Sequence, residues 1–413
     1  MKALRRACLT AALAFVAAGA FAVPVVAQQA LPEPLAKGPP SAVPPAIQIA
    51  RWHMNDADVN VLTFRSMDKL FTTRTVPRAG QVWHLPRAEQ SLDFTYAFDG
   101  KSRQASEFAA RTLTDALIVL KDGRIVSEQY FNNADERTRF IGWSMTKSVT
   151  SLLVGQALAQ GRIASLDDPI DRYLPELRGG GYEGVTIRQI LQMRSGVDYE
   201  ERYDFANPGT AASNHIDALV RNTARFADAA RAIPRATAPG SAFAYKTLDT
   251  AVLGWLLERV GGGSTVAAYT AQNLWEPLGA EADGFYIMDG EPGVGREFSG
   301  AGFNAVARDW ARVGQMMLDG GKAGGRQVVA AEWIRLSTAD SGPTGGPMGY
   351  AMQWWRMGAP GAYSAVGLQG QYVYVDPASR TVVVKLSHYP PGADDALSNE
   401  TEAFLRAASA WTP

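Results

Sequence analysis

Two pairs of strand-like segments lie far apart in this chain, and any fold must account for both. Ala116-Leu-Ile-Val-Leu120 and Arg124-Ile-Val-Ser-Glu-Gln-Tyr-Phe131 flank Lys121-Asp122-Gly123, a turn whose glycine is free to take positive φ. Near the other end, Gln371-Tyr-Val-Tyr-Val375 and Thr381-Val-Val-Val-Lys-Leu386 flank Asp376-Pro377. The pattern between the two pairs is mostly helical. From Ser144 to Leu158, apolar residues recur at Val149, Leu152, Leu153, Ala157 and Leu158. Thr186-Ile-Arg-Gln189 reads as a capping box, and Leu248–Val260 is apolar until Gly261-Gly262-Gly263 stops it. A last helix is predicted from Asp395 to Trp411. Strands at both ends with helices between predict an α/β fold: one antiparallel sheet built from the two chain ends, flanked by helices, plus a mainly helical lobe over approximately residues 160–310.

Composition bounds the function. With 46% apolar residues among 413, the chain can bury a large core. Its 40 basic and 41 acidic residues show none of the basic bias of a nucleic-acid binder. His53, His84, His215 and His388 are scattered without ligand spacing, so neither a metal site nor a Ser-His triad is indicated, and no cofactor is expected. Gly179-Gly-Gly-Tyr-Glu-Gly184 fits a dinucleotide-binding glycine pattern but does not follow a strand. Residues 1–27 read as a secretory signal peptide: Lys2, Arg5 and Arg6, an Ala-rich apolar run, then Val25-Val26-Ala27 at the cleavage positions. The single cysteine, Cys8, would leave with it, as would the only candidate membrane segment, giving a periplasmic or secreted protein. Residues 28–55, with Pro39-Pro40 and Pro44-Pro45, read as a Pro/Ala-rich extended linker before a domain over 56–413.

Three segments could carry chemistry. Ser144-Met-Thr-Lys147 opens the first long helix after a short polar loop. A hydroxyl there sits among free N–H groups at the positive end of the helix dipole, with the lysine one turn along on the same face. Desolvation lowers a lysine's pKa, and a neutral amine could activate the serine. The same residues could equally be an N-cap serine and a surface lysine. Ser66-Met-Asp-Lys69 has the same spacing without a long apolar helix behind it. Tyr245 lies in a loop leading into the Leu248–Val260 helix, where its phenol could relay a proton or simply pack. Ala365-Val-Gly-Leu-Gln-Gly370 precedes a strand; its glycines would let backbone approach a ligand, or merely make a turn.

Taken together, these motifs are specific. A Ser-x-x-Lys, a tyrosine about 100 residues on and a glycine-containing strand near the end resemble the order in class C β-lactamases, related esterases and 6-aminohexanoate-dimer (nylon-oligomer) hydrolases. Gln192-Met-Arg-Ser-Gly-Val197, Leu253-Gly-Trp-Leu-Leu-Glu258, Trp275-Glu-Pro-Leu-Gly279, Phe303-Asn-Ala-Val-Ala-Arg-Asp309 and Gly370-Gln-Tyr-Val-Tyr-Val-Asp-Pro377 also look like that group. The resemblance covers roughly residues 60–413 and implies a β-lactamase/transpeptidase-like fold. It further implies that Ser144 is the nucleophile, that Lys147 and Tyr245 share the proton work, and that the backbone N–H groups of Ser144 and Leu368 form an oxyanion hole beside Gly367.

Two departures bear on substrate. The usual Tyr-x-Asn is Tyr245-Lys246-Thr247, and the usual Lys-Thr-Gly or His-x-Gly is Ala365-Val366-Gly367. The second removes the cation or imidazole expected near a β-lactam carboxylate. The resemblance therefore points to the nylon-oligomer branch and to amides or esters of small linear substrates. A D,D-peptidase or β-lactamase, and a non-catalytic penicillin-binding-like module, are the alternatives. In the nylon-oligomer hydrolases, a tyrosine-bearing lid matches the Tyr199–Pro208 stretch, with Tyr203 as its tyrosine, and Asn304 falls at a pocket-lining position. Trp354 and Trp355 are candidates for an apolar wall.

Overall fold

The computed structural model describes residues 31–290 and 293–413. Its centre is a seven-stranded antiparallel sheet in the order Gly349–Tyr350, Trp355–Arg356, Tyr363–Gly367, Gln371–Asp376, Thr381–Ser387, Thr114–Lys121, Arg124–Tyr130. The two predicted hairpins are therefore neighbours. Thr381–Ser387 joins them, with Val383 opposite Val119 and Val384 opposite Ile118. Side-chain alternation sends the two sets of apolar residues to different layers. Ile118, Leu120, Val382 and Val384 pack with Val149, Leu152 and Leu153 of the Met145–Ala159 helix and with Val313 and Met316 of the Ala307–Leu318 helix. Leu117, Val119 and Val383 pack on the other face with Phe108, Phe404 and Leu405, the last two from the C-terminal Asp394–Ala410 helix. Burial on both faces explains why these strands read as unbroken apolar runs.

The predicted capping box is present: Thr186 Oγ1 accepts from the Gln189 N–H at 3.2 Å and Gln189 Oε1 accepts from the Thr186 N–H at 2.9 Å. The helix after Tyr245 spans Thr247–Val260. One element escaped the sequence reading. Thr73–Val76, Gly284–Ile287, Phe303–Val306 and Arg139–Ile141 form a second antiparallel sheet of four strands. Its strands are short and come from three distant parts of the chain, so no local hairpin signal marks them.

The signal-peptide reading of residues 1–27 lies outside the described residues. The expectation of an extended linker over 28–55 is corrected from residue 31 onward. Pro45–Trp52 is a helix opened by proline at its first turn, where the missing N–H costs nothing. Leu35 packs with Ile216 and Val220, and buried Arg51 donates to the carbonyls of Leu70 (2.7 Å) and Leu219 (3.0 Å). The prolines shape a strap tied to the helical lobe. No helix among the described residues is long and apolar enough to cross a membrane.

Candidate active site

The serine helix and the central sheet meet at a tight backbone contact. Trp143, just before Ser144, has φ of 46°, a left-handed conformation that a tryptophan adopts only when its surroundings hold it there. The Gly142 N–H donates to the Phe303 carbonyl at 2.8 Å, pinning the turn to the smaller sheet. A Cβ placed on Gly142 would lie 2.6 Å from the Trp310 ring, and one on Gly367 would lie 2.2 Å from the Gly142 carbonyl oxygen. Gly367 lets the strand Tyr363–Gly367 reach the serine turn this closely, and Gly142 leaves room for Trp310 of the Ala307–Leu318 helix.

Ser144 occupies the N-cap position of Met145–Ala159, yet its hydroxyl caps nothing. It accepts instead from Lys147 Nζ at 3.0 Å. Lys147 is 1% exposed, and Nζ also contacts Thr247 Oγ1 at 3.1 Å and the Gly300 carbonyl at 2.8 Å. Burial lowers its pKa to about 8, opposed by the negative charge of Glu201. The decoy at Ser66 behaves differently: Lys69 is exposed and pairs with Asp68 at 3.1 Å.

Tyr245 completes the group. Its ring centroid lies 5.0 Å from Lys147 Nζ, and it stacks on Trp355 at 5.5 Å and 27°. Burial raises the phenol pKa, the neighbouring Ser144 hydroxyl lowers it and Glu201 raises it; the balance is upward. These groups lie along a cleft of about 600 Å³ that Ser144, Tyr245, Thr247, Glu201, Tyr203 and Trp355 help to line, with Gly367 and Leu368 on its strand edge. Leu368 is 44% exposed there.

The structure therefore brings together Ser144, Lys147, Tyr245, Tyr203, Trp355, Gly367 and Leu368, and separates two other candidates from them. Trp354 is fully buried and packs edge-on against Tyr363 at 5.6 Å. It neighbours Trp355 in extended chain, so only one of the pair can face the cleft. Asn304 is also fully buried: it sits in the Phe303–Val306 strand, pairs with Ile141 and Phe285, and donates to the Gly302 carbonyl at 2.9 Å. Neither residue lines the cleft.

Several lining residues had no sequence signal of their own. Trp52, Asn55 and Asp56 come from the N-terminal strap; Phe205 and His215 come from the lobe. Trp52 packs on Phe205 at 5.3 Å, and Phe205 on His215 at 5.3 Å. His215 is buried, and desolvation lowers its pKa to about 4, so it is neutral at physiological pH. Glu201 lies within the acidic stretch Tyr199–Pro208, where nothing in the local pattern distinguishes it from its acidic neighbours. It accepts from the Thr247 N–H at 2.9 Å, from the Thr247 hydroxyl, and from the Tyr203 hydroxyl at 2.7 Å.

The chain and its fold have counterparts among known proteins. The beta-lactamase family model matches residues 102–408. The chain belongs to the β-lactamase family. Within the family it is 35% identical over 295 residues to a 6-aminohexanoate-dimer hydrolase of Paenarthrobacter ureafaciens, covering 68% of this chain and 74% of that one. A solved structure from Bacillus anthracis, provisionally assigned as a 6-aminohexanoate-dimer hydrolase, superposes with a TM-score of 0.77 at 24% identity, over 86% of this chain and 95% of that one. A family VIII carboxylesterase superposes with a TM-score of 0.55 at 18% identity, over 73% and 94% of the two chains, and shows the same β-lactamase-type fold.

Proposed function

We propose that the protein is a serine hydrolase that cleaves amide or ester bonds of small linear substrates through an acyl-enzyme on Ser144. The observation that carries this reading is the 3.0 Å contact between Ser144 Oγ and a lysine buried to 1% exposure, opening on a largely apolar cleft. With its pKa near 8, a useful fraction of Lys147 is neutral at neutral pH. It takes the Ser144 proton as Oγ attacks the substrate carbonyl. The oxyanion that forms faces the backbone N–H groups of Ser144 and Leu368, donors typically worth about 3 kcal/mol each. Tyr245 keeps its proton at neutral pH because burial raises its pKa, which suits it to protonate the leaving amine or alkoxide. Water then releases the acid by the same route in reverse.

The cleft argues about substrate. Among the described residues its lining contains Asp56 and Glu201 but neither Lys nor Arg, so apart from Lys147 behind Ser144 a β-lactam carboxylate would find no cationic partner there. Linear amides and esters, of the 6-aminohexanoate-oligomer or carboxylesterase type, suit it better. The test is turnover of p-nitrophenyl esters, linear amides and a cephalosporin by wild type and Ser144→Ala. Ester and amide hydrolysis that Ser144→Ala abolishes is expected. Efficient cephalosporin hydrolysis, or a long-lived penicillin adduct, would move the reading to β-lactamase or D,D-peptidase; full activity in Ser144→Ala would overturn it. Residues 1–27 support export to the periplasm or beyond, which N-terminal sequencing of the mature protein would test.

A further inference from the structure

Lys147 Nζ has three neighbours, and the hydrogen-bond accounting among them is incomplete without Glu201. As a neutral amine, Nζ has two hydrogens and one lone pair. To act as base, the lone pair must face Ser144 Oγ, so both hydrogens must go to the other two neighbours. The Gly300 carbonyl can only accept. Thr247 Oγ1 is ambiguous, because a hydroxyl donates or accepts. If Thr247 donated its hydrogen to Nζ, it would occupy the lone pair and leave Lys147 unable to receive the serine proton.

We propose that Glu201 is the positioning residue that removes this ambiguity, holding the Thr247 hydroxyl hydrogen so that the hydroxyl must accept from Lys147. This rests on the reading of Lys147 as the base for Ser144. The geometry fits. An ionised carboxylate accepts and does not donate. Glu201 takes both the backbone N–H and the hydroxyl of Thr247, the first residue of the Thr247–Val260 helix. The Thr247 side chain is also fixed in rotation: a Cβ on Gly300 would lie 2.6 Å from Thr247 Cγ2, so the methyl fills the space a larger residue would take. Only the hydroxyl hydrogen is left to orient, and Glu201 orients it. Tyr203, two residues along the same segment, donates to the same carboxylate and holds it in place. An asparagine at 247 would present a carbonyl that accepts from Lys147 unaided. Glu201 thus compensates for threonine at that position.

The test is a double-mutant cycle read in ester hydrolysis. Glu201→Ala should lower kcat/KM roughly tenfold or more, mostly through kcat, because general-base contributions are of that order or larger. In a Thr247→Asn background the same change should cost no more than about threefold, since paired residues couple and independent ones add. Equal losses in both backgrounds, or no loss in wild type, would show Glu201 to be only a helix cap or a lid contact. Should Thr247→Asn fail to fold, Glu201→Gln supplies a second measurement. Removing the negative charge that raises the Lys147 pKa should move the acid limb of kcat/KM to lower pH; an unmoved limb overturns the proposal. Full activity in Ser144→Ala would instead remove the serine-lysine reading itself, so the two failures are distinct.

Discussion

Gly367→Ala is the smallest change that should disable the site while leaving the fold intact. The added Cβ would lie 2.2 Å from the Gly142 carbonyl oxygen and 3.0 Å from Gln371 Cβ. The nearer contact is backbone, so no side chain can swing away. Contacts between a Cβ and a carbonyl oxygen need roughly 3.2 Å or more, so strand and serine turn must separate by about 1 Å, close to the displacement that can cost ~10²-fold in rate. That separation moves the Leu368 N–H relative to Ser144, and losing one oxyanion donor costs about 10²–10³ in kcat. The strand itself is held by five register pairs to Gln371–Asp376, so the sheet should survive. The assay is steady-state hydrolysis of a p-nitrophenyl ester beside thermal unfolding. A kcat loss of roughly 10²-fold with near-native unfolding is expected. A variant within about threefold of wild type would show that the close approach at Gly367 does not set the geometry of catalysis.

Three further outcomes follow from the same contacts. If neutral Lys147 is the base, kcat/KM should rise with pH and level off above about 8, with roughly a tenth of the plateau left one unit lower; a limb near 10 would place Lys147 in an ordinary solvated environment. Trp355→Ala removes the ring stacked on Tyr245 at 5.5 Å and should lower kcat about tenfold, as a misaligned proton donor would, with unfolding little changed; unchanged kcat would make the stack a wall only. Arg51→Ala leaves the Leu70 and Leu219 carbonyls without their buried cation and should destabilise the protein by about 2–4 kcal/mol in denaturant unfolding; no change would return the strap to the role of a linker.

The sequence exposed what depends on local pattern. Hairpins, the capping box, the helix after Tyr245 and the ordered Ser144, Tyr245 and Gly367 motifs all have short-range signatures, and the structure assembles them as expected. What it hid depends on tertiary contact. Trp354 and Trp355 are indistinguishable as a dipeptide, and only the strand's facing puts one at the cleft and one in the core. Asn304 matched a motif but faces inward from a four-stranded sheet that no local pattern announces. The prolines before residue 50 suggested an extended chain, whereas Arg51 and Leu35 fasten that segment to the lobe. Glu201 stands in an acidic stretch that reads as solvated surface, and its partner Thr247 lies 46 residues further along the chain.

The central claim is that Ser144 carries the acyl group. Rapid acid quench of wild type turning over a p-nitrophenyl ester, followed by peptide mass spectrometry, should find the acyl mass on the peptide containing Ser144 and none in Ser144→Ala. An adduct on another residue, or unaltered turnover with no adduct on Ser144, would contradict it.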